Sequence, residues 1–283
     1  MKKLTLVISF ILMVVIACGQ SSIFAKNKEK RIISLAPAVT EILFSLGLDY
    51  EIIGVTTFCD YPPNAQNKEK VGSFSQPNIE KIISLKPDII FATSLEQASV
   101  VAKLKQLRLN VYVSDPLNFE ELFNSIKEIG RLTDREEQAK LLINKMKSRV
   151  NRIKEETKFI HHDERPRVFI EIWDNPLMTA GRGSFVDELI TIAGGVNIAY
   201  DTPRTYSYFS TEQLLRRNPE CIILGYMDNK EGKMRVKSRL GWENVSAVRN
   251  DRIYDDIDSN LFLRPGPRLV KGLEEIHKRL YSE

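Results

Sequence analysis

The chain has 283 residues, of which 28% are charged and 43% hydrophobic, and its formal net charge is +4. This length allows one or two domains with a substantial core. The composition excludes a disordered chain or a multi-span membrane protein, and so small a charge gives no footing for nucleic-acid binding.

Taken in order, the chain opens with Met1, Lys2 and Lys3, an apolar run from Leu4 to Ile16, and Val15-Ile16-Ala17-Cys18. This positive start, apolar run and cleavage site ending in cysteine resemble a bacterial lipoprotein signal peptide; the alternative, a single membrane anchor, needs ~20 apolar residues, more than the run supplies. Cleavage would remove residues 1–17 and leave Cys18 as the lipidated first residue, with 18–30 as a polar tether. The remaining thiols, Cys59 and Cys221, lie in different halves, one in a loop and one leading a strand, and are not expected to bridge.

Residues 31–132 alternate strand and helix signals. Arg31 to Leu35 is a strand broken by Ala36-Pro37-Ala38, and Val39 to Leu46 is a helix stopped at Gly47. Ile52 to Val55 is the next strand, followed by a loop from Thr56 to Pro63 that carries Phe58, Cys59 and Tyr61. A helix opening at Pro77-Asn78-Ile79-Glu80 closes at Lys86-Pro87-Asp88, before the wholly apolar strand Ile89 to Ala92. A helix around Val100 to Leu107 and a strand over Val111 to Val113 complete a βαβ series. Residues 133–158 carry a narrow helical stripe of Ala139, Leu142, Ile143, Met146, Val150 and Ile153, with an expected capping box of Thr133 and Glu136. This long mid-chain helix looks like a strut between two lobes, although an ordinary surface helix or a coiled-coil arm shares its pattern.

Residues 159–283 repeat the grammar. A strand runs from Val168 to Ile172, a helix from Phe185 to Ala193, a buried strand from Cys221 to Leu224, a late strand at Arg252 to Tyr254, and a closing helix from Gly266 to Tyr281. Asn78 to Ile90 aligns without a gap on Ser210 to Ile222, each with a glutamate in the first turn and a proline before the strand. The fold class is therefore α/β, as two α/β lobes joined by a single long interdomain helix.

Catalytic signals are sparse. Three histidines, His161, His162 and His277, show no metal-ligand spacing, and no Gly-x-Ser-x-Gly elbow occurs, so neither a metal site nor a catalytic residue is expected. Gly181 to Ser184 lacks the Walker lysine and the third Rossmann glycine and fits a turn before a helix. A surface-anchored α/β enzyme is the rival class, with Cys59 and Asp60 as its best constellation.

Ligands of open α/β sheets bind at the loops following the strands. In the first half these loops carry Pro37, Ala38, Phe58, Cys59 and Phe74. In the second they carry Trp173, Arg182, Tyr206, Tyr208, Asn260 and Arg264. Aromatic residues with a few polar partners suit a large, flat, partly apolar ligand.

Arg31-Ile-Ile-Ser-Leu-Ala-Pro-Ala-Val-Thr-Glu, Ile53-Gly-Val-Thr-Thr-Phe-Cys-Asp-Tyr-Pro-Pro, Val71-Gly-Ser-Phe and Asn78 to Asp88 resemble the N-lobe of periplasmic cobalamin-binding proteins of ABC importers. Arg167-Val-Phe-Ile-Glu, Asn175-Pro-Leu-Met-Thr-Ala-Gly, Gly194-Gly-Val-Asn-Ile and Arg264-Pro-Gly-Pro-Arg resemble their C-lobe, so the likeness spans the mature chain. The wider group is the iron-chelate and cobalamin solute-binding proteins. The resemblance implies two lobes with ligand in the cleft between them, and a docking glutamate on each lobe at the positions of Glu80 and Glu212. Where cobalamin binders commonly carry tyrosine and tryptophan, this chain has Phe58 and Phe74, which removes hydrogen-bonding edges.

The expectation is a monomeric, lipid-anchored, non-enzymatic component of an ABC importer, facing the periplasm or the cell exterior. It would capture cobalamin, with haem or a ferric siderophore as the alternative. Its partners would be an ABC permease dimer with its ATPase subunits and, through the anchor, the membrane.

Overall fold

The computed structural model describes residues 30–94, 96–226 and 231–281. The expected signal peptide, Cys18 and nearly all of the tether lie outside them. In the body that starts at Arg31, the first sheet takes β1 (Ile32–Ser34), β2 (Ile52–Val55), β3 (Ile89–Ala92) and β4 (Val111–Val113) in the order β2-β1-β3-β4, every pair parallel. Its helices are α1 (Pro37–Ser45), α2 (Ile79–Ser84), α3 (Ala98–Gln106) and α4 (Phe119–Leu132). Apolar side chains from both faces of β1 and β3 are buried, Ile32 and Phe91 in one cluster and Ile33 and Ile90 in another. A parallel sheet covered on both sides requires this continuous apolarity.

The second sheet contains β5 (Arg167–Asp174), β6 (Leu177–Ala180), β8 (Tyr206–Tyr208), β9 (Cys221–Leu224) and β10 (Ile253–Tyr254), in the order β10-β9-β5-β6-β8. β10, β9 and β5 run parallel, β6 and β8 add antiparallel strands, and β7 (Val196–Asn197) pairs with the start of β5. Around it lie α6 (Phe185–Ile192), α7 (Thr211–Arg217), α8 (Gly232–Lys237), α9 (Ser246–Arg249), α10 (Asn260–Leu263) and α11 (Leu269–Tyr281).

The connecting helix α5 (Glu136–Thr157) has 22 residues and spans roughly 33 Å at 1.5 Å per residue. It buries Ala139, Met146, Val150 and Ile153 and packs against α4, α6 and α11. Its contact with α4 is close: a Cβ added at Gly130 would stand 2.6 Å from the Ala139 Cβ. Only glycine lets the two helices approach so nearly.

One local expectation is corrected, and one helix is added. Thr133 does not cap α5; its Oγ1 donates to Ile129 O at 2.7 Å and so closes α4, and α5 begins at Glu136 behind Arg135 with no side-chain cap. The structure adds α4, an amphipathic helix of 14 residues capped by Asn118 Oδ1, which accepts from Glu121 N at 2.9 Å.

The aligned segments are equivalent in three dimensions. Asn78 and Ser210 cap α2 and α7, accepting from Lys81 N and Gln213 N. Lys86 and Asn218 then both turn through positive φ, at 47° and 43°. Asp88 accepts from Arg31 N at 2.8 Å and Glu220 from Arg167 N at 3.0 Å, so each acid anchors the first residue beside its lobe's central strand.

Candidate functional site

The loops after the parallel strands bring the first group of candidates together. Pro37 opens α1 directly behind β1, and its fixed φ suits a first helical position. Ala38 lies against the other lobe, where a Cβ at Gly266 would stand 3.3 Å from Ala38 O. Phe58, in the loop after β2, is 48% exposed. Phe74 sits at the tip of a tight loop closed by Asn78 N donating to Val71 O at 2.7 Å. Gly72 makes that turn possible, with φ at 103° and the backbone of Gln76 and Asn78 where a Cβ would be.

Gln97, which is not among the expected site residues, ties the end of β1 and the Phe74 loop to the end of β3. Its Nε2 donates to Leu35 O at 2.9 Å and to Phe74 O at 2.8 Å, while Oε1 accepts from Thr93 N at 3.1 Å. The side chain is fully buried.

On the second lobe, Trp173, Met178 and Tyr208 are directly opposed across β5, β6 and β8, and Ala180 opposes Tyr206 in the last pair. Opposed residues share a face of the sheet, and so do residues two apart on one strand. Trp173, Tyr206 and Tyr208 therefore form one aromatic surface, each of them exposed. All three are expected in loops, but the two tyrosines belong to the edge strand β8 and Trp173 to the end of β5. Tyr208 also borders a hollow of about 450 Å3 lined by Pro203, Gln213 and Arg217. Arg182 is exposed in the turn before α6, where Ser184 Oγ accepts from Asp187 N at 3.0 Å. That turn is the one expected from Gly181 to Ser184.

Asn260 begins α10, and Arg264 follows it at the lobe junction. Arg264 Nη1 lies 2.5 Å from Asp60 Oδ1 and 3.9 Å from Glu41 Oε1. Arg268 grips Glu41 with Nε at 2.9 Å and Nη2 at 2.6 Å, and its guanidinium stacks 3.8 Å from the Tyr61 ring centroid. Burial pushes the Glu41 carboxyl up despite both arginines. Burial also acts to raise Asp60, but the hydrogen bond and charge of Arg264 outweigh it and hold that carboxyl below its ordinary range. Arg264 is thus engaged with the N-lobe. A second contact joins the lobes at α4 and α6, where Phe119 N donates to Glu188 Oε2 at 2.8 Å and Phe119 meets Phe185 edge-on.

Cys59 does not sit with the exposed aromatic residues. It is fully buried, its Sγ accepts from Thr40 Oγ1 at 3.1 Å and lies 3.3 Å from Thr56 Oγ1, and burial raises the thiol. The loop turns this residue inward to fill the N-lobe core, leaving Phe58 and Tyr61 outside. Cys221 is also buried and free, its thiol pushed up to about 12 by burial. No group of three potential metal ligands occurs among the described residues.

Other polar features have local partners. Glu171, fully buried on β5, is held by Arg239 at 2.6 and 2.7 Å, and Arg239 packs over Trp242. A depression of about 1040 Å3 along β10, lined in part by Lys233, Asp251 and Arg279, contains none of the candidate ligand residues. Glu80 and Glu212 each occupy the second position of their helix and are exposed.

Residues 32–259 match the family described as periplasmic binding protein. The chain is 35% identical over 263 residues to an uncharacterized ABC transporter substrate-binding lipoprotein, YvrC, of Bacillus subtilis, covering 91% of this chain and 82% of the relative. It is 30% identical over 249 residues to a vitamin B12-binding protein of Vibrio cholerae, covering 87% of each. The crystal structure of a possible iron-binding (periplasmic solute-binding) protein from Staphylococcus epidermidis superposes with a TM-score of 0.79 at 32% identity, covering 90% of this chain and all of that one. With two α/β lobes, a connecting helix and a match across most of its length, the chain belongs to the periplasmic binding protein family.

Proposed function

We propose that this protein is the solute-binding component of an ABC importer, and that its solute is a corrinoid, cobalamin. The aromatic surface of Trp173, Tyr206 and Tyr208 on the C-lobe sheet carries this reading, since it offers flat apolar contact with hydroxyl edges. Kinship with a vitamin B12-binding protein supports the same ligand. Phe58 and Phe74 at the strand ends of the N-lobe would cover the opposite side of the solute, with Pro37, Ala38, Asn260 and Arg182 at its margins. Arg264, being paired with Asp60, would border the solute from the lobe junction. Delivery would use Glu80 and Glu212 as contacts for a permease dimer, and Cys18 would carry the lipid anchor.

Titration of the purified chain with cyanocobalamin, haemin and a ferric siderophore tests the ligand. Saturable binding of cyanocobalamin at micromolar concentration or below is expected. Binding of haemin or the ferric chelate alone would reassign the solute within the family.

A further inference from the structure

Gln97 stands at the N-cap position of α3 but makes no side-chain cap there. Serine, threonine, aspartate or asparagine at that place would turn its oxygen onto the first helical amides, which the longer glutamine does not do. Here the amide turns inward instead and joins three chain segments: the end of β1 at Leu35, the tip loop at Phe74 and the end of β3 at Thr93. The two carbonyls require both Nε2 hydrogens and the Thr93 N–H requires Oε1, so the partners fix the orientation of the amide. Within the tip loop, Gln76 N donates to Ser73 Oγ and Thr57 N donates to Gly72 O. Gln97 supplies the hydrogen bond from the body of the lobe to the backbone of Phe74 itself.

From this geometry we infer that Gln97 is a positioning residue for solute binding, holding the Phe74 loop in the arrangement that receives the ligand, with Leu35 O and Thr93 N as its anchors on the body of the lobe. The inference rests on the cleft reading above, in which Phe74 touches the solute. Gln97 itself is fully buried and touches no solute, so it acts through Phe74. If the tip loop loses its tether, only a fraction of molecules present Phe74 correctly, and apparent affinity falls by that fraction.

The test uses full-length protein in detergent carrying Gln97→Met, which removes all three bonds, and Gln97→Glu, which keeps the acceptor for Thr93 N but loses at least one of the two donors. Hydrogen exchange should rise at least about tenfold over residues 72–76 in both variants. At the Thr93 amide it should rise in Gln97→Met only. Cyanocobalamin affinity should weaken at least fivefold in Gln97→Met, yet change less than about twofold when the same substitution is added to Phe74→Ala, because the two residues act as one unit. Equal losses in both backgrounds, or unchanged affinity in a folded Gln97→Met protein, would overturn the positioning role. If the wild type does not bind cyanocobalamin, the ligand reading falls and the affinity comparison is made with whichever of haemin or the ferric siderophore it binds, and unchanged exchange over residues 72–76 would separately overturn the tether. Should Gln97→Met not fold, Gln97→Glu carries the same comparison with Phe74→Ala.

Discussion

Arg268 and Glu41 form a two-pronged ion pair across the junction of the lobes, with a carboxylate that is only 2% exposed. A buried pair loses more when one partner is removed than it adds over an apolar replacement of both, because the remaining charge is left without a partner. Arg268→Met leaves Glu41 with only the more distant Arg264, at 3.9 Å, and should therefore destabilise the protein by up to about 3–5 kcal/mol. Adding Glu41→Leu should restore most of that loss. Urea unfolding of the three proteins measures both, and a single-variant cost below about 1 kcal/mol would show that the pair is well solvated.

Asp60 gives the same junction a pH dependence. Its carboxyl is held below the ordinary value of 3.8, so its stabilising contribution is present above that value and is lost as pH falls through the folded one. Asp60→Asn should thus flatten the stability difference between roughly pH 5 and pH 3 relative to wild type. Parallel acid-unfolding curves for the two proteins would separate Asp60 from the acid response.

Much of the fold was legible because its signals are local. The prolines after Lys86 and Asn218 end α2 and α7 just before apolar strands, and both corners fold alike. The signal for α4 is also local, in Asn118 and the spacing of Leu122, Ile126 and Ile129, but it runs directly into the longer helical pattern that follows. Thr133 misled because a threonine three residues before a glutamate fits a capping box as well as it fits the end of a preceding helix. The site was less legible, since its organisation is long-range. Gln97 reaches partners 62 and 23 residues away, and Arg264 pairs with Asp60 across 204 residues. The register that aligns Trp173 with Tyr208 is likewise a property of three strands together.

Trp173 is 53% exposed, with Nε1 donating to Asn175 O at 3.0 Å, so the ring is held in place with much of its surface open. Covering an aromatic ring of this kind with a flat ligand contributes on the order of 1–3 kcal/mol. Trp173→Ala should weaken cyanocobalamin binding about five- to a hundredfold. Unchanged affinity in the folded variant would move the solute away from the β5, β6 and β8 surface.

The burial of Cys59 bears on the enzyme alternative. A thiol enclosed by Thr40 and Thr56 and raised by burial is largely protonated at neutral pH and shielded from reagents. Iodoacetamide at pH 7.5 should alkylate Cys59 in the folded protein at under about 1% of its rate in urea. Rapid labelling of the folded chain, with a turnover that Cys59→Ala abolishes, would restore a nucleophilic role.

Delivery is the last step, and the equivalence of the two corners gives it a physical basis. Glu80 follows the cap Asn78 and Glu212 follows the cap Ser210, each as the second residue of a short helix that leads into an inner strand of its own sheet. Both carboxylates complement the positive ends of their helices, yet both are exposed, and neither pairs with a basic side chain among the described residues. They are therefore available to a partner's cations. The connecting helix, packed against α4, α6 and α11, and the ion pairs of Arg264 and Arg268 hold the lobes in a set relationship, so the two charges form a spaced pair. One exposed ion pair is worth roughly 0.2–1 kcal/mol, but two formed together gain from effective concentration. Glu80→Arg with Glu212→Arg should abolish solute uptake by proteoliposomes containing the permease while leaving the affinity for solute in solution within about twofold, and either single variant should lose less. Uptake at the normal rate by the double variant would return both glutamates to the plain role of complementing their helix dipoles.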